Sequence, residues 1–473
     1  MHPKLIIDGV ARDASGGGVT QLINPATEES FCEVPVAIGQ DVDLAVNGAH
    51  RAFEQGWRDL APGKRAEPLF RLAASIRAHL EELAQLEMRN IGKPLSDARD
   101  EVALGARVFE YYAGAISKFF GATIPVARGG FDFTLRQPLG VAAAIVPWNF
   151  PFAIACWKVA PALAAGNCVV LKPASLSPLT ALRLGALALE AGLPAGVLQV
   201  LAGAGSEIGD ALVRHPLVRK ISFTGSTEIG RRVMQLAAGD IKRLSLELGG
   251  KSPNVIFADA DLEKAAGSSP MSVFANAGQD CCARSRVFVE RPVLDRFLEL
   301  FVEATRALKV GDPALAETQI GPLVSHSHRG KVEGCLDRAK ERASVCGGDR
   351  LAGRGFFLNP AVVLGCETSD EIWREEIFGP VVCIRAFDDE ERMLREVNES
   401  PYGLSGSLWT NDLSRALRVA RRIESGVLSV NSHSSVHVEA PFGGLKQSGI
   451  GRDLGMDALE GYTEIKNVFI SEE

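Results

Sequence analysis

Gly140-Val-Ala-Ala-Ala-Ile-Val-Pro-Trp-Asn149 is the stretch that decides the fold class. Its apolar run, Val141 to Val146, is too short for a helix and is stopped by Pro147. Four further runs follow: Cys168 to Leu171, Val197 to Leu201, Lys220 to Phe223 and Arg243 to Leu246. Each is followed within three residues by Gly or Pro, and helical segments join them. Short apolar runs joined by helices imply βαβ units and a mostly parallel sheet covered on both faces. Such sheets bind ligands beyond the carboxyl ends of their strands. Four of those ends carry suggestive residues: Pro147-Trp148-Asn149, Lys172-Pro173, Gly225-Ser226 and Glu247-Leu-Gly-Gly250.

Towards the N-terminus, Leu5 to Gly9 reads as a strand and turn. From Asp41 to about Asn90, Leu69, Leu72, Ile76, Leu80, Leu83 and Leu86 recur at helical spacing, and a second helical stretch runs from Ser96 to Phe120. Phe131, Phe133 and Leu135 alternate with polar residues after a Gly-Gly turn, and Tyr462 to Ile470 also reads as a strand. Both strands lie outside the main sheet and need partners, which a second subunit would provide by edge pairing. A second α/β region opens at Asn254-Val-Ile-Phe257, with Asp259 and Asp261 as helix-capping acids.

At 473 residues, two or three domains are expected. The 46% hydrophobic and 23% charged content is that of a soluble protein. No segment approaches the ~20 apolar residues of a membrane span. Met1 to Val10 does not read as a signal peptide. Nine cysteines without CxxC pairs or Cys/His spacing fit neither a zinc site nor a disulfide framework, so a reducing cytoplasm is expected. A net charge of −7 with no basic block argues against nucleic acid.

The chemistry-bearing candidates start with Asn276 to Arg286, where Cys281 and Cys282 adjoin Arg284 and Arg286. Inward-pointing arginines would favour a thiolate; two buried structural thiols are the plainer reading. In Phe223-Thr-Gly-Ser-Thr-Glu-Ile-Gly230, a glycine after a strand opens a helix, so N–H groups there would meet a phosphate, although any strand–helix turn has this shape. Lys172 would hold a ribose hydroxyl or phosphate, or lie on the surface. Asn149, between two prolines, is a fixed amide donor for an oxyanion or for a turn. Glu247, followed by Leu248-Gly249-Gly250, is a general base or a strand-end acid.

Read in order, Pro147-Trp-Asn-Phe-Pro151, Lys172-Pro173, Phe223-Thr-Gly-Ser226, Glu247-Leu-Gly-Gly-Lys-Ser-Pro253, Gly278-Gln-Asp-Cys281, Glu376-Ile-Phe-Gly-Pro380 and Pro441-Phe-Gly-Gly444 resemble the aldehyde dehydrogenase superfamily over essentially the whole chain. The resemblance implies two Rossmann-like α/β domains with a small β flap for oligomerisation. Residues 1–119 and 139–248, with 445–459 returning, would bind the cofactor. Residues 249–444 would be catalytic, and 120–138 with 460–473 would supply the flap of a homodimer or homotetramer. It implies Cys281 as nucleophile, Glu247 as base and Asn149 as oxyanion donor, with no metal. Trp148, Lys172, Gly225, Ser226, Glu376 and Phe378 would surround NAD or NADP. Ser175 departs from the Glu common in NAD-preferring members and removes its repulsion of a 2′-phosphate, so NADP is permitted.

For the substrate, Asp280, Glu101 and Glu439 fall in segments that line the tunnel in this family, and Tyr112, Trp157 and Phe442 would offer aromatic faces. Three acids near one tunnel lean towards an ω-aminoaldehyde such as 4-aminobutyraldehyde or a trimethylammonium aldehyde. Against that, Glu101 and Glu439 would be solvated and Asp280 would brace a loop or pair with Arg284. A semialdehyde or broad aliphatic and aromatic aldehyde specificity is the alternative. A non-catalytic structural role or a thiol esterase is the alternative of a different class.

Overall fold

A computed structural model describes residues 3–434 and 436–472 of the chain. All five apolar runs from Val141 to Leu246 form strands: Val141–Ile145, Cys168–Lys172, Leu198–Val200, Val218–Thr224 and Arg243–Glu247. They lie side by side and parallel in an eight-stranded sheet. Antiparallel strands border them, Leu5–Ile7 with Val10–Arg12 on one side and Gly449–Ile450 on the other. The register aligns Ile145 with Lys172 and Thr224 with Glu247. Those chain ends therefore emerge along one edge.

The alanines of Val141–Ile145 leave room for close helix packing. Helix Pro151–Ala164 lies against the sheet with every residue buried. The long helical pattern from Asp41 to Asn90 breaks into Gly39–Ala52, Pro62–Ala78 and Leu80–Ile91. The first break holds Gly56 at φ 135°, followed by Pro62, which can start a helix but not continue one.

A seven-stranded sheet runs Ser344–Gly347, Ala361–Leu364, Val381–Phe387, Arg286–Glu290, Pro253–Ile256, Ser405–Trp409 and Val427–Val430, parallel except for the first strand. Each large sheet has its own hydrophobic core. The cysteine segment straddles them: Cys281 and Cys282 pack on the first core, and Ala277 and Ala283 belong to the second.

Strands Gly130–Pro138 and Thr463–Ser471 pair antiparallel with each other, and Thr123–Ile124 completes a separate three-stranded sheet. The two strands expected to lie outside the main sheet pair with each other, and Thr463–Ser471 stands at an edge of that small sheet. Among the described residues no helix is long and apolar enough to cross a membrane.

Candidate active site

Two cavities meet at Cys281. One, of about 810 Å³, is lined by Phe150, Trp157, Glu247, Asp280, Cys281, Cys282 and Phe442 among others. The other, of about 600 Å³, is lined by Trp148, Asn149, Gly225, Ser226, Glu376 and Phe378, and again by Cys281. Of the nine free cysteines, only Cys281 lines both cavities.

The turn that presents this thiol is held tightly. Asn276, Ala277 and Gly278 take φ of 51°, 56° and 72° in succession. Two non-glycine residues in the left-handed region cost roughly 1–3 kcal/mol each. Hydrogen bonds offset this: the Asn276 amide donates to the Asn149 carbonyl at 3.0 Å, and the Gln279 amide donates to the Asn276 carbonyl at 2.9 Å. Gln279 Oε1 accepts the Val324 N–H at 2.8 Å. Gly278 has no substitute, because a Cβ there would lie 2.0 Å from the Gly379 carbonyl oxygen. That approach locks the nucleophile turn to the loop carrying Glu376 and Phe378.

Asn149 is buried, and its Nδ2 donates to the Gln279 carbonyl at 3.0 Å. A primary amide has two N–H groups, so one is left for a substrate oxygen. Glu247 is buried, and neither of its carboxylate oxygens has a hydrogen-bond partner among the described residues. Burial, and then the charge of Asp453, push its pKa well above the usual carboxylate range. Lys158 opposes this from a position where its Nζ donates to Asp453 at 2.8 Å and to Ser222 at 3.1 Å.

The Cys281 thiol is also pushed well up, first by its contact with the Cys282 thiol, then by burial and by the charges around it, Asp280 and Glu376 among them. The expected arginine effect takes another form. Arg284 is buried and its guanidinium donates to the Cys282 carbonyl and the Ser407 hydroxyl. Arg286 turns away to the carbonyls of Lys251, Glu396 and Val397.

In the second cavity, Glu376 accepts the Gly250 N–H at 2.9 Å, and burial raises its pKa to about 7. Phe378 and Trp148 stack edge to face at 5.3 Å. Ser226 caps helix Thr227–Ala237, whose N-terminus opens at this wall. Lys172 and Ser175 lie at the end of strand Cys168–Lys172, beside the strand that leads to Trp148, and outside the wall. Lys172 is buried and its pKa falls to about 8, and the Ser175 hydroxyl donates to the Gly203 carbonyl at 2.9 Å.

The substrate-side candidates divide. Asp280, Trp157 and Phe442 line the first cavity, with the two rings edge to face at 5.2 Å. Asp280 braces its own loop by accepting the Cys282 N–H at 2.8 Å. Glu101 lines the cavity but is no free acid. It pairs with buried Lys93, and its other oxygen accepts the N–H groups of Phe152 and Ala153 at the start of helix Pro151–Ala164. Glu439 is exposed, away from the cavity wall, and pairs with Arg107 at 2.5 Å. Tyr112 is wholly buried away from the wall, and its hydroxyl donates to the Gly455 carbonyl at 3.0 Å.

Asp97 and Asp100 line the same cavity, and nothing in the sequence distinguishes them from the acids of any solvated helix face. Lys158 was legible: it is the sole charged residue in Pro151–Ala164.

A family model described as "Aldehyde dehydrogenase family" matches residues 12–468. The chain belongs to the aldehyde dehydrogenase family. It is 41% identical over 474 residues to DhaS of Bacillus subtilis (strain 168), a protein assigned as an aldehyde dehydrogenase, covering 99% of this chain and 96% of that one. It is 43% identical to the cytosolic 10-formyltetrahydrofolate dehydrogenase of Homo sapiens, covering 99% of this chain but about half, 53%, of that longer one. An NAD+ complex of an aldehyde dehydrogenase from Bacillus cereus superposes with a TM-score of 0.98 at 40% identity, covering 100% of this chain and 97% of that chain. A betaine aldehyde dehydrogenase from Staphylococcus aureus, in complex with NAD+, does so with 0.97 at 37%, covering 99% and 94%. The mixed α/β architecture is that of the family.

Proposed function

We propose that this aldehyde dehydrogenase oxidises aldehydes to carboxylic acids on Cys281, with NAD as the hydride acceptor. The observation that carries the reading is the single thiol common to two cavities, one with a carboxylate base in its wall and the other with a strand–helix turn. The solved relatives named above hold NAD+, and the second cavity suits a dinucleotide. Gly225, Ser226 and the helix N-terminus would meet its diphosphate, Glu376 a ribose and Phe378 the ring nearest the thiol. Bound there, the nicotinamide supplies a hydride acceptor.

The residues do the rest. Cys281 loses its proton and attacks the carbonyl carbon, while the free N–H of Asn149 and the Cys281 backbone N–H hold the oxyanion. Loss of hydride leaves a thioester on Cys281. Glu247 takes a proton from water as that water attacks the thioester, and the Cys281 thiolate leaves with release of the carboxylic acid.

The finer reading is a cationic aldehyde, such as 4-aminobutyraldehyde or a trimethylammonium aldehyde. Asp97, Asp100 and Asp280 in the first cavity support it, with Phe150, Trp157 and Phe442 as aromatic faces for the amine end. Glu101, neutralised by Lys93, does not contribute, nor do Glu439 and Tyr112. Broad neutral-aldehyde specificity is the second reading, favoured by the apolar faces of Phe150, Trp157 and Phe442 in the same wall, which suit an uncharged aldehyde equally. Ser175 leaves NADP admissible. We also assign the chain to the cytoplasm, as a homodimer or homotetramer.

The test is growth of absorbance at 340 nm with NAD or NADP and a panel of aldehydes. Cys281→Ala should abolish turnover and leave nucleotide binding intact; retained turnover would move the nucleophile, first to Cys282. A kcat/KM for 4-aminobutyraldehyde no higher than for an uncharged aldehyde of equal length would remove the cationic reading.

A further inference from the structure

Asp280, Cys281 and Cys282 place a carboxylate oxygen and two sulfurs within 4.8 Å of one another. All three residues line the substrate-side cavity. The Asp280 carboxylate is fixed on that side by the Cys282 N–H. Aldehyde oxidation uses one of these thiols and leaves Cys282, buried beside it, without a task.

We propose that Asp280, Cys281 and Cys282 form a binding site for a thiophilic divalent cation, with Zn2+ as its type, and that occupancy reversibly switches the enzyme off. Two sulfurs and a carboxylate oxygen are three of the four ligands of a tetrahedral zinc ion, and the cavity leaves the fourth position to water. Bonds of about 2.3 Å to sulfur and about 2.1 Å to oxygen put tetrahedral ligand atoms about 3.5–3.8 Å apart. Closing from the observed spread takes about 1 Å, within reach of rotation of the cysteine side chains. Each thiol loses its proton to solvent as its sulfur–metal bond forms, and no electrons are transferred. Two thiolates and a carboxylate exceed the dication by one negative charge. The buried Arg284 guanidinium, on the Cys282 carbonyl, sits where it takes up that excess. A sulfur lone pair held by the metal is no longer available to a carbonyl carbon. This inhibitory half rests on Cys281 being the nucleophile; the binding half does not.

The experiment uses the full chain in thiol-free, metal-stripped buffer. Added ZnCl2 should stop turnover and EDTA should restore it. CoCl2 in its place should give a tetrahedral visible spectrum, with near-ultraviolet charge-transfer intensity of two cobalt–thiolate bonds. Measured against its own metal-free rate, Cys282→Ser should need at least ~10-fold more zinc for half-inhibition, and it should show half the charge-transfer intensity. Inhibition of Cys282→Ser at the native zinc concentration, or a native cobalt spectrum with one thiolate bond or none, would overturn the site. Should that variant not fold, the native cobalt intensity decides alone. Turnover that survives Cys281→Ala would instead refute the nucleophile assignment and leave the cobalt result standing.

Discussion

Cys281 and Glu247 are both held towards their protonated forms in the substrate-free site, the thiol by its neighbours and burial, the carboxyl by burial and Asp453. Each must give up a proton to act, so turnover should rise with pH through the neutral and alkaline range. Asp453 raises the pKa of Glu247, so Asp453→Asn should lower it, both by removing the repulsion and by freeing the Lys158 charge that opposes it. The ascending limb of the kcat–pH profile is then expected to move to lower pH; an unmoved or alkaline-shifted limb would show that Asp453 does not act on the base. Asn149→Ala removes the oxyanion donor and should lower kcat by ~10²–10³, about 3–4 kcal/mol, by analogy with other donors of this kind. The measurement is steady-state kinetics with nucleotide binding as control. A loss below tenfold would leave the Cys281 N–H as the main donor.

At the scale of elements, helix Pro151–Ala164 has no cap of its own and takes one from Glu101, brought by helix Leu95–Ala115. This pins the turn bearing Asn149. Behind it, Glu87 is fully buried and accepts the Thr180 hydroxyl at 2.7 Å, and burial with the nearby Glu101 charge raises its pKa to about 8. A carboxyl raised in the fold stabilises it most below its unfolded pKa of about 4.5, and that contribution is lost as pH climbs through about 8. Glu87→Gln keeps the acceptor and lacks the titration. Its Tm should therefore gain on the parent as pH goes from about 5 to about 9, as scanning calorimetry would record. A constant difference would mean that Glu87 is ionised in the fold.

For the whole molecule, the three-stranded sheet is what lacks cover. Phe131, Leu135 and Ile470 stand about half exposed, with Phe131 opposite Ile470 in the register. An exposed apolar stripe of this kind is the place at which association of two chains is to be tested. Phe131→Lys with Ile470→Lys is expected to lower the mass by light scattering to that of one chain. A parent that is itself monomeric would remove this reading.

How much of this was legible varies with the range of the interaction. The parallel sheet from Val141 to Leu246 was readable because each strand is a short apolar run closed by a local breaker. Cys281, Glu247 and Asn149 could be named through the order of seven segments, since each alone looked like an ordinary turn or strand end. The helices from Asp41 to Asn90 merged because their apolar spacing runs on across a break made by one glycine and one proline. Glu439 and Tyr112 lie off the cavity, and Glu101 lines it already paired, for another reason: a residue's segment does not say whether Lys93, Arg107 or the Gly455 carbonyl will claim it.

The sequence by itself determined what is written in local pattern: strand and helix periods, the turn that exposes the thiol, and the motif order that names the family. Tertiary structure alone decided which charges survive pairing, that Cys281 is shared by both cavities, that Asp453 and Lys158 stand behind Glu247, and that Arg286 faces away from the thiol. Those depend on distances between residues far apart in the chain, and a carboxylate's charge and pKa follow from what the fold places beside it.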